Sequence, residues 1–149
     1  MKKNLFLTLS ALIFSISAYS QILNPVKWSY AAKKLNSKEA MIYLKATIEP
    51  GWHLYSQHVG DGGPVATTFT FDKSKTYALV GKASEPKPIS KFEPSFKMDV
   101  KFFEGSPVFQ QKVKLTGKTA TVKGRVEYMV CDDHQCLPPT EVEFTVAVK

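Results

Sequence analysis

The stretch Ala120-Thr-Val-Lys-Gly-Arg-Val-Glu-Tyr-Met-Val130 alternates apolar and polar residues, and Glu141-Val-Glu-Phe-Thr-Val-Ala-Val148 repeats the alternation. A period of two places every second side chain on the same face, which is typical of a β-strand with one buried face. Both segments are therefore predicted to be strands that pack one face against a core.

Similar runs precede this stretch, separated by turn residues. Residues 41–48 are nearly continuously apolar, which predicts a central strand. No helical period is visible after the first 20 residues, and about seven to nine short strands favour an all-β fold, an immunoglobulin-like antiparallel β-sandwich. The remaining predicted strands are 26–35, 52–55, 67–71, 77–80 and 108–115.

Three segments are predicted to lie outside the strands. Residues 56–64 contain Gly60-Asp-Gly-Gly-Pro64, which predicts a long, mobile loop. Residues 82–99 carry three prolines, so an irregular connection is expected there. Residues 102–105, Phe-Phe-Glu-Gly, are expected to form a compact aromatic turn.

The N-terminus begins with Lys2 and Lys3, continues with an apolar run and ends in small residues at 17–20. This order is typical of a secretory signal peptide, and the run is shorter than the roughly 20 residues that cross a bilayer. We expect cleavage after Ser20, with Ala18 as the competing position and a retained anchor as the alternative. Residues 1–20 are thus a predicted signal peptide, and residues 21–149 a single exported domain.

The formal net charge is +7, and removing Lys2 and Lys3 leaves 7 − 2 = +5. Arg125 is the only arginine. Because no arginine-rich or aromatic-interleaved basic block is present, nucleic-acid binding is not expected. A scattered lysine surface favours solubility and weak attraction to acidic partners.

The chain has two cysteines, Cys131 and Cys136, with four residues between them. One leaves a strand and the other enters the next, so a disulfide is within geometric reach, and an even count in an exported protein agrees with pairing. On the loop-entropy model so small a ring stabilises a fold by about 2 kcal/mol, against about 4.7 kcal/mol for a 100-residue loop. A structural staple and a reversible, redox-active disulfide are both open at this point.

The residues around the cysteines favour a disulfide that is attacked by a partner's thiolate. Asp132 and Asp133 disfavour a thiolate on this chain, whereas a protonated His134 favours one. Pro138 and Pro139 stiffen the backbone beyond the second cysteine, and the sequence leaves their cis or trans state open.

Three motifs resemble the N-terminal periplasmic domain of DsbD-type thiol:disulfide interchange proteins. Cys131 to Cys136, preceded by Tyr128 and followed by Leu-Pro-Pro, is similar to the family's cysteine motif. Gly51-Trp-His-Leu-Tyr55 is similar to its Gly-aromatic-x-Leu-Tyr segment, and Phe102-Phe-Glu-Gly-Ser-Pro-Val-Phe109 to its cap loop. Together these motifs span most of residues 21–149 in the family's order.

The resemblance implies an immunoglobulin-like domain that relays electrons between thioredoxin-like periplasmic proteins, without a cofactor and as a monomer. In the family, electrons arrive from a thioredoxin-like module and pass to disulfide isomerases or cytochrome-maturation thioredoxins. Such a domain works as a stoichiometric relay, so whether it is called an enzyme is left open.

By position, the resemblance assigns roles to single residues. Cys131 and Cys136 are the exchanging pair, with Cys131 buried and Cys136 attacked. Phe102, together with Phe103, is the aromatic cap over the disulfide. The side chains implied to line the site are His53, Tyr55, His134 and Pro138.

Three departures from the family pattern affect these expectations. The cysteine spacing is one residue shorter than in the best-known members, and Val100 and Lys101 stand where acidic residues support the cap. The family's transmembrane channel and C-terminal thioredoxin domain have no counterpart in this sequence, so a separate membrane electron donor is expected.

A metal site is the first rival interpretation. Cys131-x-x-His134 on a β-sandwich resembles half of a blue-copper ligand set, which needs a second histidine such as His53 or His58 and often a methionine. The axial position after His134 is leucine or proline here. Zinc bound by Cys131, Cys136, His134 and an aspartate lacks a second ligand pair, so no metal is expected.

A plain binding module is the second rival. Trp52, Tyr55 and the 60–64 loop are candidates for an aromatic ligand surface, although tryptophans in such strands are more often part of a core. The sequence contains no recognisable Ser-His-Asp set, P-loop or paired-carboxylate motif, so hydrolysis and phosphoryl transfer have no support.

Overall fold

The computed structural model describes residues 23–149, and the predicted signal peptide at 1–20 lies outside them. The described part is built from eleven strands and contains no helix. The strands are β1 (Val26–Lys34), β2 (Glu39–Ile48), β3 (His53–Tyr55), β4 (Thr68–Phe71), β5 (Tyr77–Ser84), β6 (Ile89–Glu93), β7 (Met98–Phe103), β8 (Val108–Leu115), β9 (Ala120–Tyr128), β10 (Val130–Cys131) and β11 (Thr140–Val148).

The strands form three antiparallel sheets, with strand orders β1-β2-β8-β5, β11-β9-β4 and β10-β3-β7-β6. The first two sheets face each other across the main core. Trp28 of β1 packs edge-on against Phe69 of β4, with ring centroids 5.7 Å apart, and Tyr30 packs against Phe144 at 5.2 Å. This arrangement confirms the predicted all-β, immunoglobulin-like sandwich.

The alternation read from the sequence corresponds to burial in the structure. In β9 the even-numbered residues from Ala120 to Tyr128 are buried, and the odd-numbered residues between them are exposed. Strand β2 lies between β1 and β8, so the prediction of a central strand at 41–48 is confirmed. Phe109 of β8 is fully buried between the two facing sheets.

The expectation of an irregular connection at 82–99 is wrong for most of its length. Strand β5 continues to Ser84, and β6 pairs with β7 as a hairpin, from Ile89 opposite Phe102 to Glu93 opposite Met98. The prolines lie where a ladder does not need their missing N–H groups, because Pro86 and Pro88 occupy the β5–β6 connection and Pro94 the hairpin turn.

The expected aromatic turn at 102–105 is also corrected. Phe102 and Phe103 are the last two residues of β7, paired with Tyr55 and Leu54 of β3. The chain turns only afterwards, at Gly105, whose φ of +70° is in the left-handed region that glycine adopts without strain. The third sheet, β10-β3-β7-β6, thereby brings the cysteine segment beside β3.

Candidate functional site

The third sheet has two faces with different roles. Val130, Leu54 and Phe103 form one row across β10, β3 and β7, and all three are buried in the main core. Because successive residues of a strand point to opposite faces, the rows on either side of this one point away from the core. They carry Cys131 and Tyr55, which belong to a second, smaller cluster.

This second cluster is the floor of the candidate site. It consists of Tyr55, Val100, Phe102 and Cys131, all nearly fully buried. Side chains from the 56–67 loop, the β6–β7 hairpin and the β9–β10 junction cover it: Val59, Phe96, Met98 and Met129. One of the two sulfurs is thus embedded in apolar side chains.

The cysteines form a disulfide with an S–S distance of 1.98 Å. Cys131 is only 4% exposed, whereas Cys136 is exposed. The two residues face each other as an isolated antiparallel bridge, flanked by a hydrogen bond of 2.9 Å from Leu137 N–H to the Val130 carbonyl. A thiolate approaching from solvent therefore reaches the sulfur of Cys136 more readily than that of Cys131.

The turn between the cysteines is held by Asp132. Its Oδ1 accepts the backbone N–H groups of His134 at 2.8 Å and Gln135 at 2.7 Å. The Asp132 N–H donates to the Gln135 carbonyl at 2.9 Å. The hydrogen bond from His134 is the main cause of a pKa of Asp132 below its usual value. The turn is therefore ordered by an ionised carboxylate next to the disulfide.

An open groove of about 590 Å³ separates this turn from the β6–β7 hairpin. We call it the disulfide groove. The residues that line it are His53, Tyr55, Lys91, Phe92, Glu93, Pro94, Ser95, Phe96, Cys131, Asp132, Asp133, His134, Gln135 and Cys136. Both cysteines and the predicted lining residues His53, Tyr55 and His134 are therefore brought together at one surface.

The tip of the β6–β7 hairpin forms the opposite wall. Phe96 packs edge-on against Tyr55, with ring centroids 6.1 Å apart, and Phe92 is 57% exposed. The tip is ordered by hydrogen bonds from Phe96 N–H to the Glu93 carbonyl at 3.1 Å and from Lys97 N–H to the Pro94 carbonyl at 3.2 Å. Lys97 has a φ of +54°, as expected for a tight turn.

Sequence reasoning missed Phe92 and Phe96 because their segment was expected to be irregular. A local signal was present: two phenylalanines flank Glu93-Pro94-Ser95, and such a turn between Ile89 and Val100 is compatible with a hairpin. Their contribution to this site depends on the hairpin folding over Tyr55, which no local pattern contains.

The two residues expected to form the cap lie in different places. Phe102 is 5% exposed and belongs to the floor cluster with Cys131, but it does not line the open groove. Phe103 points to the opposite face and packs against Phe109, with ring centroids 5.4 Å apart. Adjacent residues of a strand cannot both face the disulfide.

His53 lies next to the buried sulfur. It pairs with Cys131 across the β3–β10 ladder, and its ring packs on Phe102 with centroids 4.5 Å apart. Its Nε2 lies 3.0 Å from Oε1 of Glu104, just beyond the end of β7. The side chain of His53 is 20% exposed, so it is accessible at the edge of the groove.

Tyr55 completes the floor. Burial, with a smaller contribution from the charge of Glu93, raises the pKa of its phenol to about 12. The phenol is therefore neutral at physiological pH, and it presents an uncharged aromatic face to Phe96.

Beyond Tyr55 the chain is tied to the β5–β6 connection. The carboxylate of Glu85 accepts the Ser56 hydroxyl at 2.6 Å and the Gln57 N–H at 2.8 Å. Ser56 is fully buried, and its Oγ accepts the His58 N–H at 2.9 Å. These bonds position the start of the 56–67 loop, whose Val59 packs against the floor cluster.

The rival interpretations share Cys131, Cys136, His53, His134 and Tyr55 with the groove, but two of their other residues lie outside it. Trp52 is buried in the main core, and His58 is exposed outside the groove. Within residues 23–149, no three His, Cys, Asp or Glu side chains are grouped as metal ligands. Pro138 is exposed beyond the groove, and every described peptide bond is trans, including those of the two consecutive prolines.

The fold and site define a class of protein: an immunoglobulin-like β-sandwich that carries one half-exposed disulfide in an aromatic-lined groove. Residues 20–148 match the family described as "Thiol:disulfide interchange protein DsbD, N-terminal". The chain therefore belongs to this family, and the predicted resemblance is confirmed. The family's description names thiol:disulfide interchange, and Cys131 and Cys136 form a disulfide in this chain.

Solved structures support the fold assignment. The N-terminal periplasmic domain of ScsB from Proteus mirabilis superposes with a TM-score of 0.57 at 20% identity, over 80% of this chain and 44% of that chain. The reduced DsbD n-terminal domain of Neisseria meningitidis gives 0.56 at 17% identity, over 81% and 85%. A chain of the complex between the DsbD N-terminal and PilB N-terminal domains of that organism gives 0.55 at 15% identity, over 84% and 87%.

At these identities the solved structures show the shared fold alone. This chain spans less than half of the length of the ScsB chain. A comparison with curated proteins found no match. Among residues 23–149 there is no helix of the length and hydrophobicity needed to cross a bilayer.

Proposed function

We propose that this protein is a periplasmic electron relay whose disulfide is opened by a thioredoxin-like donor and closed again by a thioredoxin-like acceptor. The observation that carries the proposal is the unequal exposure of the two sulfurs, with Cys131 in an apolar cluster and Cys136 at an open groove. A structural staple has no need of such an opening.

In the reducing step, a donor thiolate attacks Sγ of Cys136. The Cys131–Cys136 bond breaks, its electron pair stays on Sγ of Cys131, and a mixed disulfide forms between Cys136 and the donor. A second donor thiolate then attacks the donor's sulfur in that bond. The donor leaves oxidised, and this chain gains two electrons and two protons. Reduction of an acceptor runs the same steps in reverse.

The aromatic side chains limit access to this chemistry. Phe102 and Cys131 belong to the floor, and Phe96, on the opposite wall, packs edge-on against Tyr55. We propose that Phe96 is the outer cap, which a docking partner displaces and a small thiol does not. Alanine variants of Phe96 and Phe102 distinguish this role from the cap role that the resemblance gave to Phe102 and Phe103.

Partner and location extend the proposal beyond the chemistry. The solved complex joins a DsbD N-terminal domain to a PilB N-terminal domain, and we propose that the groove, which the exposed Phe92 lines, is where a partner docks here. The proposed donor is a separate membrane protein, and the proposed working form is a monomer exported by the predicted signal peptide at 1–20.

Mixed-disulfide trapping tests the proposal. With Cys131→Ala, Cys136 remains free to attack an oxidised thioredoxin-like partner, and the covalent product cannot be resolved from within this chain. With Cys136→Ala, the remaining buried thiol is expected to trap little. The double variant is the control for non-specific coupling. Trapping by Cys136→Ala alone would reverse the assignment, and trapping by neither single variant would leave the disulfide without an exchange role.

A further inference from the structure

Three residues form a row across the strands at the edge of the disulfide groove. Cys131 of β10 pairs with His53 of β3, and Glu104, the residue after β7, contacts His53 from its other side. Residues that face each other across antiparallel strands have Cβ atoms about 4.5–5.5 Å apart on the same face. A thiol, an imidazole and a carboxylate therefore lie in sequence.

The imidazole of His53 is held in a defined orientation. Its Nε2 is 3.0 Å from Glu104 Oε1, and its ring packs on Phe102 at a centroid distance of 4.5 Å. A carboxylate oxygen this close positions Nε2 as a hydrogen-bond donor. The carboxylate thus occupies Nε2, and Cys131 pairs with His53 across the other edge of β3.

The buried sulfur needs such a partner. When a donor thiolate opens the disulfide, the electron pair moves onto Sγ of Cys131, which is nearly fully buried among apolar side chains. Burial disfavours the charged form of a thiol, and a poorly stabilised thiolate is a slow leaving group. The exposed Cys136 has solvent to stabilise its own charge.

We propose that His53, oriented by Glu104, exchanges the proton of the buried Cys131 sulfur. This inference rests on the proposed exchange function. As the disulfide opens, the imidazolium stabilises the departing Cys131 thiolate and gives it a proton. When the reduced chain passes its electrons on, the neutral imidazole takes that proton back, so that the Cys131 thiolate can attack Cys136 in the mixed disulfide.

Other titratable groups face the groove, and they differ from His53 in position. His134, Asp132 and Asp133 lie in the turn on the Cys136 side, with His134 and Asp133 exposed. Lys91 and Glu93 line the wall formed by the hairpin, and the buried Tyr55 stays neutral at physiological pH. Of these titratable residues, His53 is the one that pairs with Cys131 across neighbouring strands.

The test compares His53→Gln with Glu104→Gln, with a rival histidine in the groove and with a control histidine outside it. His134→Gln removes the groove's other histidine, and His58→Gln removes an exposed one outside it. The rate of disulfide reduction by dithiothreitol is measured from mildly acidic to mildly alkaline pH and divided by the concentration of dithiothreitol thiolate. This normalisation removes the pH dependence of the attacking thiol.

The normalised rate in the unsubstituted protein is expected to be highest at acidic pH and to fall towards alkaline pH. His53→Gln is expected to be about tenfold slower at acidic pH and nearly independent of pH. Glu104→Gln is expected to lower the rate at acidic pH by a smaller factor, because His53 is then less firmly oriented, and His58→Gln is expected to keep the original profile. In a Cys136→Ala background, His53→Gln should also shift the appearance of Cys131 thiolate absorbance to higher pH.

An unchanged profile in His53→Gln overturns the inference, and a flattened profile in His134→Gln transfers the role to that residue. Far-ultraviolet circular dichroism of each variant shows whether a slower rate comes from misfolding. If Cys131→Ala still traps a thioredoxin-like partner while His53→Gln behaves like the unsubstituted protein, the exchange function stands and this inference alone fails.

Discussion

Replacing Phe96 by alanine tests how access to the disulfide is controlled. The edge-to-face contact between Phe96 and Tyr55, at 6.1 Å between centroids, is of a kind that contributes about 0.5–1.5 kcal/mol beyond its buried area. A factor of ten corresponds to about 1.4 kcal/mol. Losing the contact is therefore expected to raise the fraction of molecules in which the hairpin tip stands away from Tyr55 about two- to twelvefold.

The assay is the second-order rate constant for reduction by glutathione, which lacks a docking surface of its own. Phe96→Ala is expected to react faster by that factor, and reaction with a thioredoxin-like partner to change less because the partner displaces the cap itself. Phe92→Ala is the matched control, since it makes the same truncation on the same hairpin at a side chain that is 57% exposed.

Phe102→Ala separates the two cap assignments. Phe102 is 5% exposed, and truncating a buried phenylalanine costs about 3–5 kcal/mol of stability. We expect this variant to be destabilised more than Phe96→Ala. An unchanged glutathione rate in Phe96→Ala, together with a faster rate in a folded Phe102→Ala, would refute the reasoning and return the cap to Phe102.

Asp132→Asn is expected to reduce the loss of stability in acid, because the hydrogen bond from His134 lowers the pKa of Asp132 in the fold. The resulting stabilisation is complete above the ordinary carboxyl pKa and is lost as pH falls through the lowered pKa. If urea denaturation showed the same loss of stability in acid for Asp132→Asn and the unsubstituted protein, this expectation would be contradicted. Glu85→Ala removes the acceptor of the Gln57 N–H at 2.8 Å, so hydrogen exchange at Gln57 should accelerate, and an unchanged rate would oppose the proposed anchoring. Phe109→Ala, at a fully buried position, is expected to lower the free energy of unfolding by about 3–5 kcal/mol; a loss below about 1 kcal/mol in urea denaturation would show that the site repacks.

The fold was largely predictable because its main strands each bury one face. The alternation in β9 and β11 and the apolar run of β2 report burial directly, and the structure shows the corresponding patterns. The β6–β7 hairpin was not predictable by the same rule. Its edge strand β6 is almost entirely exposed, so it carries no apolar alternation, and its prolines suggested an irregular chain.

Some features of the site were predictable from the sequence, and others were not. The proximity of Cys131 and Cys136 follows from their separation in sequence, and the resemblance added which sulfur is buried. The opposite orientations of Phe102 and Phe103 follow from strand parity, but treating 102–105 as a turn concealed that parity. The packing of Phe96 on Tyr55 joins segments 41 residues apart in the chain, and it depends on tertiary structure that a local pattern does not encode.

The reduction potential of the Cys131–Cys136 disulfide tests the central claim most directly. It is measured by equilibrating residues 21–149 with glutathione redox buffers and quantifying the reduced fraction by thiol labelling. A relay is expected to have a potential clearly above about −300 mV, within range of thioredoxin-like partners. A potential below about −300 mV would identify a structural bridge and contradict the account.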